Sequence, residues 1–233
     1  MKVDQIKSKP DADMEELREN LLRMGGRVEQ MISSAVKALV ERDSKLAAQV
    51  VAMDRDVNAL EMAIDEKCLE ILAMKKSISR DLRFITLALK IVTDIERIGD
   101  KCANIAKRAM KLNDVVPLNL QFDLPFMSQH VQQMVKQALD AFVHADEDLA
   151  LKVLHDDLKV NEMNRQNQES LLDLMQSDSS AVRRAIKLHY VCKSLERIAD
   201  HATNIAEMVI FMIKGHDIRH SSRHKLKVHS SEN

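Results

Sequence analysis

The sequence predicts an all-α fold of two pseudo-symmetric antiparallel three-helix bundles, with six long helices in all. The 233 residues include only 4 Gly and 3 Pro, fewer than the many turns of a sheet protein require. Apolar residues recur three and four positions apart over most of the chain, which is the period of an amphipathic helix. A stretch of the third predicted helix also recurs 100 residues later, which indicates a duplicated module.

The first bundle is predicted over residues 14–112. In its first helix, Gly25 and Gly26 interrupt the apolar pattern and favour either a bend or a close contact with another helix. Asp43 and Ser44 provide a stop for this helix and an N-cap for the second one. The three helices are expected at about residues 14–39, 44–71 and 77 or 79 to 112.

The break at residues 113–125 holds two of the three prolines, and residues 113–123 are predicted to be a linker. The second bundle is predicted over residues 124–214, with Gly215 as its C-terminal stop. Residues 215–233 hold four of the nine histidines and show no apolar period, which predicts a mobile basic, His-rich tail. The helices of the second bundle are expected at about residues 124–144, 146–175 and 179–214.

The repeat is clearest where IERIGDKCANIA (95–106) aligns with LERIADHATNIA (195–206), because seven of the twelve positions are identical. Upstream residues match more faintly at an offset of 103. A period near 100 residues is too long for the unit of a solenoid protein, which spans roughly 20–50 residues. The repeat is therefore interpreted as a duplicated three-helix module.

Composition excludes several classes of protein. The 35 Lys and Arg balance 36 Asp and Glu, whereas a general nucleic-acid binder shows a basic excess. The three cysteines, Cys68, Cys102 and Cys192, lie far apart, which fits buried thiols in a reducing cytosol better than disulfides. The longest apolar run, 208–213, is much shorter than the roughly 18 residues of a membrane span. We expect a soluble cytoplasmic protein without membrane insertion.

Acidic residues form a second pattern, separate from the apolar one. Glu96 and Asp100 stand one helical turn apart, and Glu196 and Asp200 repeat this spacing in the second half. On a helical projection these carboxylates point away from the apolar face, toward solvent or a shallow groove. Two like charges one turn apart repel each other by roughly 0.2–0.5 kcal/mol, and a bound cation would reverse this cost. A metal site is therefore a candidate function of this face.

The second helix adds Glu61 and Asp65 at the same spacing, on the edge where a neighbouring helix should pass. In the second half Asn164 and Gln168 occupy the corresponding positions, so the second candidate site has fewer acidic ligands. Oxygen ligands favour Mg²⁺, Mn²⁺ or iron over a structural zinc, although the spacing alone leaves Mg, Mn, Fe and Zn all open. The alternative interpretation is a solvated acidic surface whose charges are balanced by nearby arginines.

At the ERIGD and ERIAD blocks the chain resembles the PhoU family, the accessory regulators of bacterial phosphate-specific transport. The likeness extends through RMGGRVEQM at 23–31, the acidic segment at 54–68, the DLR of 81–83 and IKGHDIRH at 213–220. It implies two three-helix bundles and metal binding at E-x-x-x-D motifs on their surface. The residues concerned are Glu96, Asp100, Glu196, Asp200 and, by pattern, Glu61 and Asp65.

The resemblance also implies a function without catalysis. Members of this family link the ATPase subunit of a phosphate ABC transporter to a sensor histidine kinase and keep phosphate-starvation genes off. Homodimers are usual among them. The alternative from the residues is a carboxylate-bridged, metal-dependent phosphohydrolase, in which two metals activate water. The sequence shows no general base or cluster of phosphate-binding arginines beside the acids, so an interaction protein is the preferred interpretation.

Overall fold

The computed structural model describes residues 9–74, 79–118 and 123–215, and within them the chain forms six long α-helices and no strand. The all-α prediction and the pair of three-helix bundles are confirmed. The tail predicted at 215–233 lies, except for Gly215, outside the described residues. The helices are α1 Lys9–Val40, α2 Ser44–Ala73, α3 Ser79–Asn113, α4 Leu124–His144, α5 Glu147–Ser177 and α6 Val182–Lys214.

Local sequence explains most of the helix ends. Asp43 caps α2 by accepting hydrogen bonds from the backbone N–H groups of Lys45 and Leu46, both at 2.9 Å. Asp123 and Asp146 cap α4 and α5 in the same way. After α6, Gly215 adopts the left-handed conformation, with φ of 72°, that a glycine accepts without strain.

Two helix starts differ from the sequence prediction. The first helix begins at Lys9, earlier than the predicted Met14. The residues before Met14 are helical although they lack the apolar pattern of a packed face. The last helix begins at Val182, after a 3₁₀ turn at Ser179–Ala181. At this turn the Asp178 side chain accepts a hydrogen bond from the backbone N–H of Ser180, two residues later. Short 3₁₀ turns of this kind are frequent at the start of α-helices.

The two bundles pack side by side through their inner helices, and buried apolar residues from all six helices form one continuous core. Helix α1 contacts α4, and α3 contacts α6. The rings of Phe84 and Phe142 stack across this junction with centroids 4.5 Å apart. Between α3 and α6, Nδ1 of His201 lies 2.7 Å from a carboxylate oxygen of Asp94. Helices α2 and α5 are the outer helices, because within the described residues each contacts only elements of its own bundle.

Gly25 and Gly26 have different roles in α1. A Cβ atom added at Gly25 would lie 2.4 Å from a terminal carbon of Leu139 on α4, whereas one at Gly26 would meet open space. Of the two interpretations offered by the sequence, close helix contact therefore applies to Gly25. The missing side chain lets α1 approach α4 where the two bundles meet.

The described part of the linker is held by arginines from both bundles. Arg42 donates to the backbone carbonyls of Asn113 and Val115, the latter at 2.6 Å. Arg184 on α6 donates to the carbonyl of Val116 at 3.1 Å. These contacts satisfy carbonyl groups that have no partner in a helix.

The three cysteines are all free and buried, as expected. Burial raises the pKa of the Cys68 and Cys192 thiols to about 12, so both stay protonated and unreactive at neutral pH. No helix in the described part of the chain is long and apolar enough to cross a membrane.

Candidate metal centre

The acidic side chains of the first bundle lie between α2 and α3. Asp54, Glu61 and Asp65 come from α2, and Glu96 and Asp100 come from α3; we call these five residues the acidic groove. The two helices approach each other closely at Gly99 of α3. A Cβ atom at this position would lie only 3.2 Å from the Val57 side chain. The groove thus lies within one bundle and does not face the second one.

The carboxylates are neither fully exposed nor fully buried. The side chain of Glu96 is 17% exposed and that of Asp100 is 40% exposed, which fits a shallow groove. Arg97 is the cation that forms ion pairs with these acids: its Nε lies 3.6 Å from Glu96 and its Nη1 lies 3.8 Å from Asp100. Both distances exceed that of a charge-assisted hydrogen bond, so the arginine balances the acids only loosely. Lys101 and Lys107 are also near enough to act on Glu96 and Asp54, respectively.

The pKa values show that the groove concentrates negative charge. Burial raises the pKa of the Glu61 carboxyl, and the charges of Glu96 and Asp65 raise it further. The pKa of Glu96 is raised by burial and then by Asp100. Burial and Asp100 likewise raise the pKa of Asp54, and burial raises that of Asp65. Carboxylates of both helices thus disfavour one another's charged forms.

This repulsion predicts that Glu61→Gln stabilises the metal-free protein at pH 7, by up to about 0.5 kcal/mol. Unfolded glutamate loses its proton near pH 4.3, whereas folded Glu61 holds its proton to higher pH. The contribution of this group to stability is therefore present below the unfolded pKa and is lost as pH rises through the folded pKa. The gain from the variant should accordingly disappear near pH 4.

The measurement is urea unfolding of chelator-treated protein at both pH values. Glu19→Gln is the matched control, since Glu19 is exposed on α1 and lies outside the groove. The control should show no gain in stability at pH 7 relative to pH 4, because its carboxylate lies outside the crowded acidic groove. A loss of stability in Glu61→Gln at pH 7 would contradict the repulsion.

The groove fits a hard cation in its chemistry, although its side chains do not converge on a single point. Among the described residues, no three His, Cys, Asp or Glu side chains are grouped closely enough to hold one ion together. The acidic groove nevertheless offers only oxygen donors, and the buried Oδ1 of Asp54 has no hydrogen-bond partner. Carboxylate oxygens that repel one another are suitable ligands for a divalent ion.

The second half brings fewer acids together. Glu196 has a side chain only 14% exposed, and the ammonium of Lys193 lies 2.7 and 2.6 Å from its two carboxylate oxygens. Asn164, which replaces Glu61 in the repeat, is buried, and its side-chain carbonyl has no hydrogen-bond partner. Asp200 keeps the position equivalent to Asp100. The second-half site thus has a lysine beside its glutamate and an amide where the first has a carboxylate.

Asp54 is the groove residue that the sequence prediction left out of its candidate ligands. Its position two helical turns before Glu61 on the same face of α2 was a usable indication. Its charge acts on Glu96, and the charge of Asp100 acts on it, so Asp54 belongs with the four predicted residues of the first half.

Comparison with known proteins places both halves of the chain. The family model described as the PhoU domain matches residues 21–109 and again residues 124–209. A phosphate-specific transport system accessory protein PhoU homolog from Pseudomonas aeruginosa is 40% identical over 93% of this chain and 90% of its own length. The accessory protein PhoU of Escherichia coli is 34% identical over 90% of this chain and 87% of its own length.

Solved structures agree with the sequence comparison. The crystal structure of PhoU from Pseudomonas aeruginosa superposes with a TM-score of 0.83, over 88% of this chain and 99% of that one, at 40% identity. The crystal structure of the phosphate transport system regulatory protein PhoU from Streptococcus pneumoniae superposes with a TM-score of 0.81 at 25% identity. The match covers 90% of this chain and 99% of that one. The duplicated matches, the identities and the shared architecture agree, and the chain belongs to the PhoU family.

Proposed function

We propose that this protein is a cytoplasmic negative regulator of the phosphate-starvation response. It contacts the ATPase subunit of a phosphate ABC transporter and a sensor histidine kinase, and it acts as a homodimer. The observation that supports this most directly is the match of both halves to the PhoU domain, together with relatives named as accessory proteins of phosphate transport. Family membership by itself supports a role in the regulation of phosphate transport.

The acidic groove gives this regulator a metal site. The residues that would hold the ion are Glu61, Asp65, Glu96 and Asp100, with Asp54 added by the geometry; Glu196 and Asp200 would form a weaker second site. A divalent or iron ion bound there would supply positive charge that offsets the repulsion among these carboxylates. The protein's residues hold the two helices at a fixed spacing, which presents a rigid outer surface to partners.

Deletion of the gene tests the regulatory role. We expect phosphate-scavenging enzymes to be expressed in phosphate-rich medium in the deletion strain, because the repressing link between transporter and kinase is lost. A plasmid copy of the wild-type gene should restore repression. Expression that remains low after deletion would contradict the proposal, and so would purified protein that binds neither the ATPase subunit nor the kinase at any phosphate concentration.

The alternative, a metal-dependent phosphohydrolase, makes a different prediction. It requires turnover of phosphate esters by metal-loaded protein, and Asp100→Asn would abolish that turnover. The groove brings carboxylates and Arg97 together, but no feature of the described residues favours a bound phosphate ester over a bound ion. We expect no turnover.

A further inference from the structure

A cavity of about 540 Å³ lies at one end of the junction between the two bundles. Its walls come from α1 and α3 of the first bundle and from the C-terminal ends of α4 and α6 of the second. Cavities of about 300–1,000 Å³ where two structural units meet are common sites for small ligands. None of the described wall residues belongs to the acidic groove. The wall residues that carry the inference are Arg18, Arg83, Phe84, His144, Met212 and Ile213.

The two arginines of the cavity are held mainly by neutral groups. Arg83 donates from Nη1 to the backbone carbonyl of Met212 at 3.0 Å, and it forms no ion pair in the part of the chain that the structure describes. The guanidinium of Arg18 lies 4.9 Å from the centroid of the Phe84 ring, and its ion pair with Glu15 is 3.9 Å long. A guanidinium has more N–H donors than these contacts use. Both arginines are therefore fixed in position while their charge is available to a ligand.

His144 adds a third polar group to the cavity. Its Nδ1 lies 2.9 Å from the backbone carbonyl of Asp140, and because a carbonyl oxygen only accepts, Nδ1 carries the proton of this hydrogen bond. Nε2 is therefore the ring nitrogen that remains for a ligand. Among the described wall residues Asp81 is the one acid, so the two arginines and the aspartate leave one net positive charge with His144 neutral.

The repeat creates an equivalent space at the opposite end of the junction, and there the linker fills part of it. The C-terminal ends of α1 and α3 take the places of α4 and α6, and Val116, Pro117 and Leu118 line the remaining cavity of about 320 Å³. Carbonyl oxygens of the linker accept hydrogen bonds from Arg42 and Arg184. At that end, apolar groups and oxygen acceptors thus occupy a space whose donors are arginines. The larger cavity offers the same combination of apolar wall and arginine donors.

We propose that this cavity binds a small organic monoanion, a carboxylate on an apolar aliphatic or aromatic body. The carboxylate accepts hydrogen bonds from Arg18 and Arg83, and the apolar body lies against Phe84, Met212 and Ile213. A singly charged ligand matches the single net positive charge of the walls, whereas a nucleoside triphosphate brings more negative charge than they balance. The ligand contacts both bundles. The inference goes beyond the proposed regulatory function and does not depend on the metal site.

The first experiment titrates the full chain with anilinonaphthalene sulfonate, a fluorescent aromatic anion used as the probe. We expect one saturable site per chain, and Arg83→Gln and Arg18→Gln should each raise its dissociation constant about tenfold. Arg55→Gln is the matched control, because Arg55 is exposed on α2 and lies outside the cavity; it should change the constant less than about twofold. Circular dichroism confirms that the variants fold. A wild type without a saturable site, or cavity variants that behave like the control, would overturn the proposal.

The second experiment identifies the ligand class by displacement of the probe. Octanoate and naphthoate carry the same carboxylate on an aliphatic and an aromatic body, so the tighter competitor shows which body the cavity takes. Neutral octanol is the control for charge, and we expect it to compete at least about tenfold more weakly than octanoate. Displacement by neither carboxylate, or equal displacement by octanol, would refute an anion site. Displacement only by a synthetic peptide of residues 216–220 would also refute it and assign the cavity to a segment of the chain itself.

Discussion

Phe142→Ala is expected to lower the free energy of unfolding by about 3–5 kcal/mol. Phe142 lies on α4, is completely buried, and stacks on Phe84 of α3 at an interplanar angle of 12°. Truncation removes this contact and leaves a cavity at the junction of the two bundles, where Leu139 and Gly25 also meet. Because the core is continuous across this junction, we expect the whole chain to unfold in one transition at a lower urea concentration.

The same helix provides a control. Phe126 lies in the first turn of α4, is 49% exposed, and contacts the ring of His130. Phe126→Ala should change stability by no more than about 0.5 kcal/mol. Urea unfolding followed by circular dichroism measures both variants. Two separated transitions, with only one of them shifted by Phe142→Ala, would show that the bundles unfold independently and would contradict a shared core.

The helices were predictable because they depend on short-range information. Apolar spacing fixes which residues face a core, and Asp43, Asp123 and Asp146 begin α2, α4 and α5 by accepting hydrogen bonds from nearby backbone N–H groups. The start of α1 was harder to place, because the sequence before Met14 carries no apolar pattern. The role of Gly25 depends on Leu139, more than a hundred residues away, and local spacing contains no information about such a partner.

The candidate site was predictable in its residue types and less so in its arrangement. Spacing places Glu61 and Asp65 on one edge of α2, and Glu96 and Asp100 on one face of α3, but the register between the two helices determines which acids meet. That register includes Asp54, whose charge reaches Glu96. In the second half, Lys193 pairs with Glu196 one helical turn away on α6, a contact that the spacing along this helix could have indicated.

The largest functional effect is expected for metal binding when two acids of the groove are neutralised. The double variant Glu61→Gln and Asp100→Asn removes one charge from each helix, and we expect the affinity for Mn²⁺, used as a probe, to fall about 100-fold. Titration calorimetry on chelator-treated protein measures this directly. Metal at 100 times its dissociation constant should stabilise the wild type by about 2.7 kcal/mol, and the variant should show little of this gain.

The second half provides the matched comparison. Glu196→Gln and Asp200→Asn likewise remove two charges, here both from α6, where Lys193 already neutralises the glutamate; we expect the affinity to change less than about threefold. Removal of the groove charges should change the stability of the protein in opposite directions without and with metal, which makes the result distinctive. Without metal, the first-half variant should be the more stable protein, because the repulsion around Glu61 is relieved. With metal, the wild type should be more stable, since only its carboxylates gain from the ion. If both double variants weaken binding equally, or if the wild type binds no Mn²⁺, the acidic groove is a solvated surface and the proposed metal site is wrong.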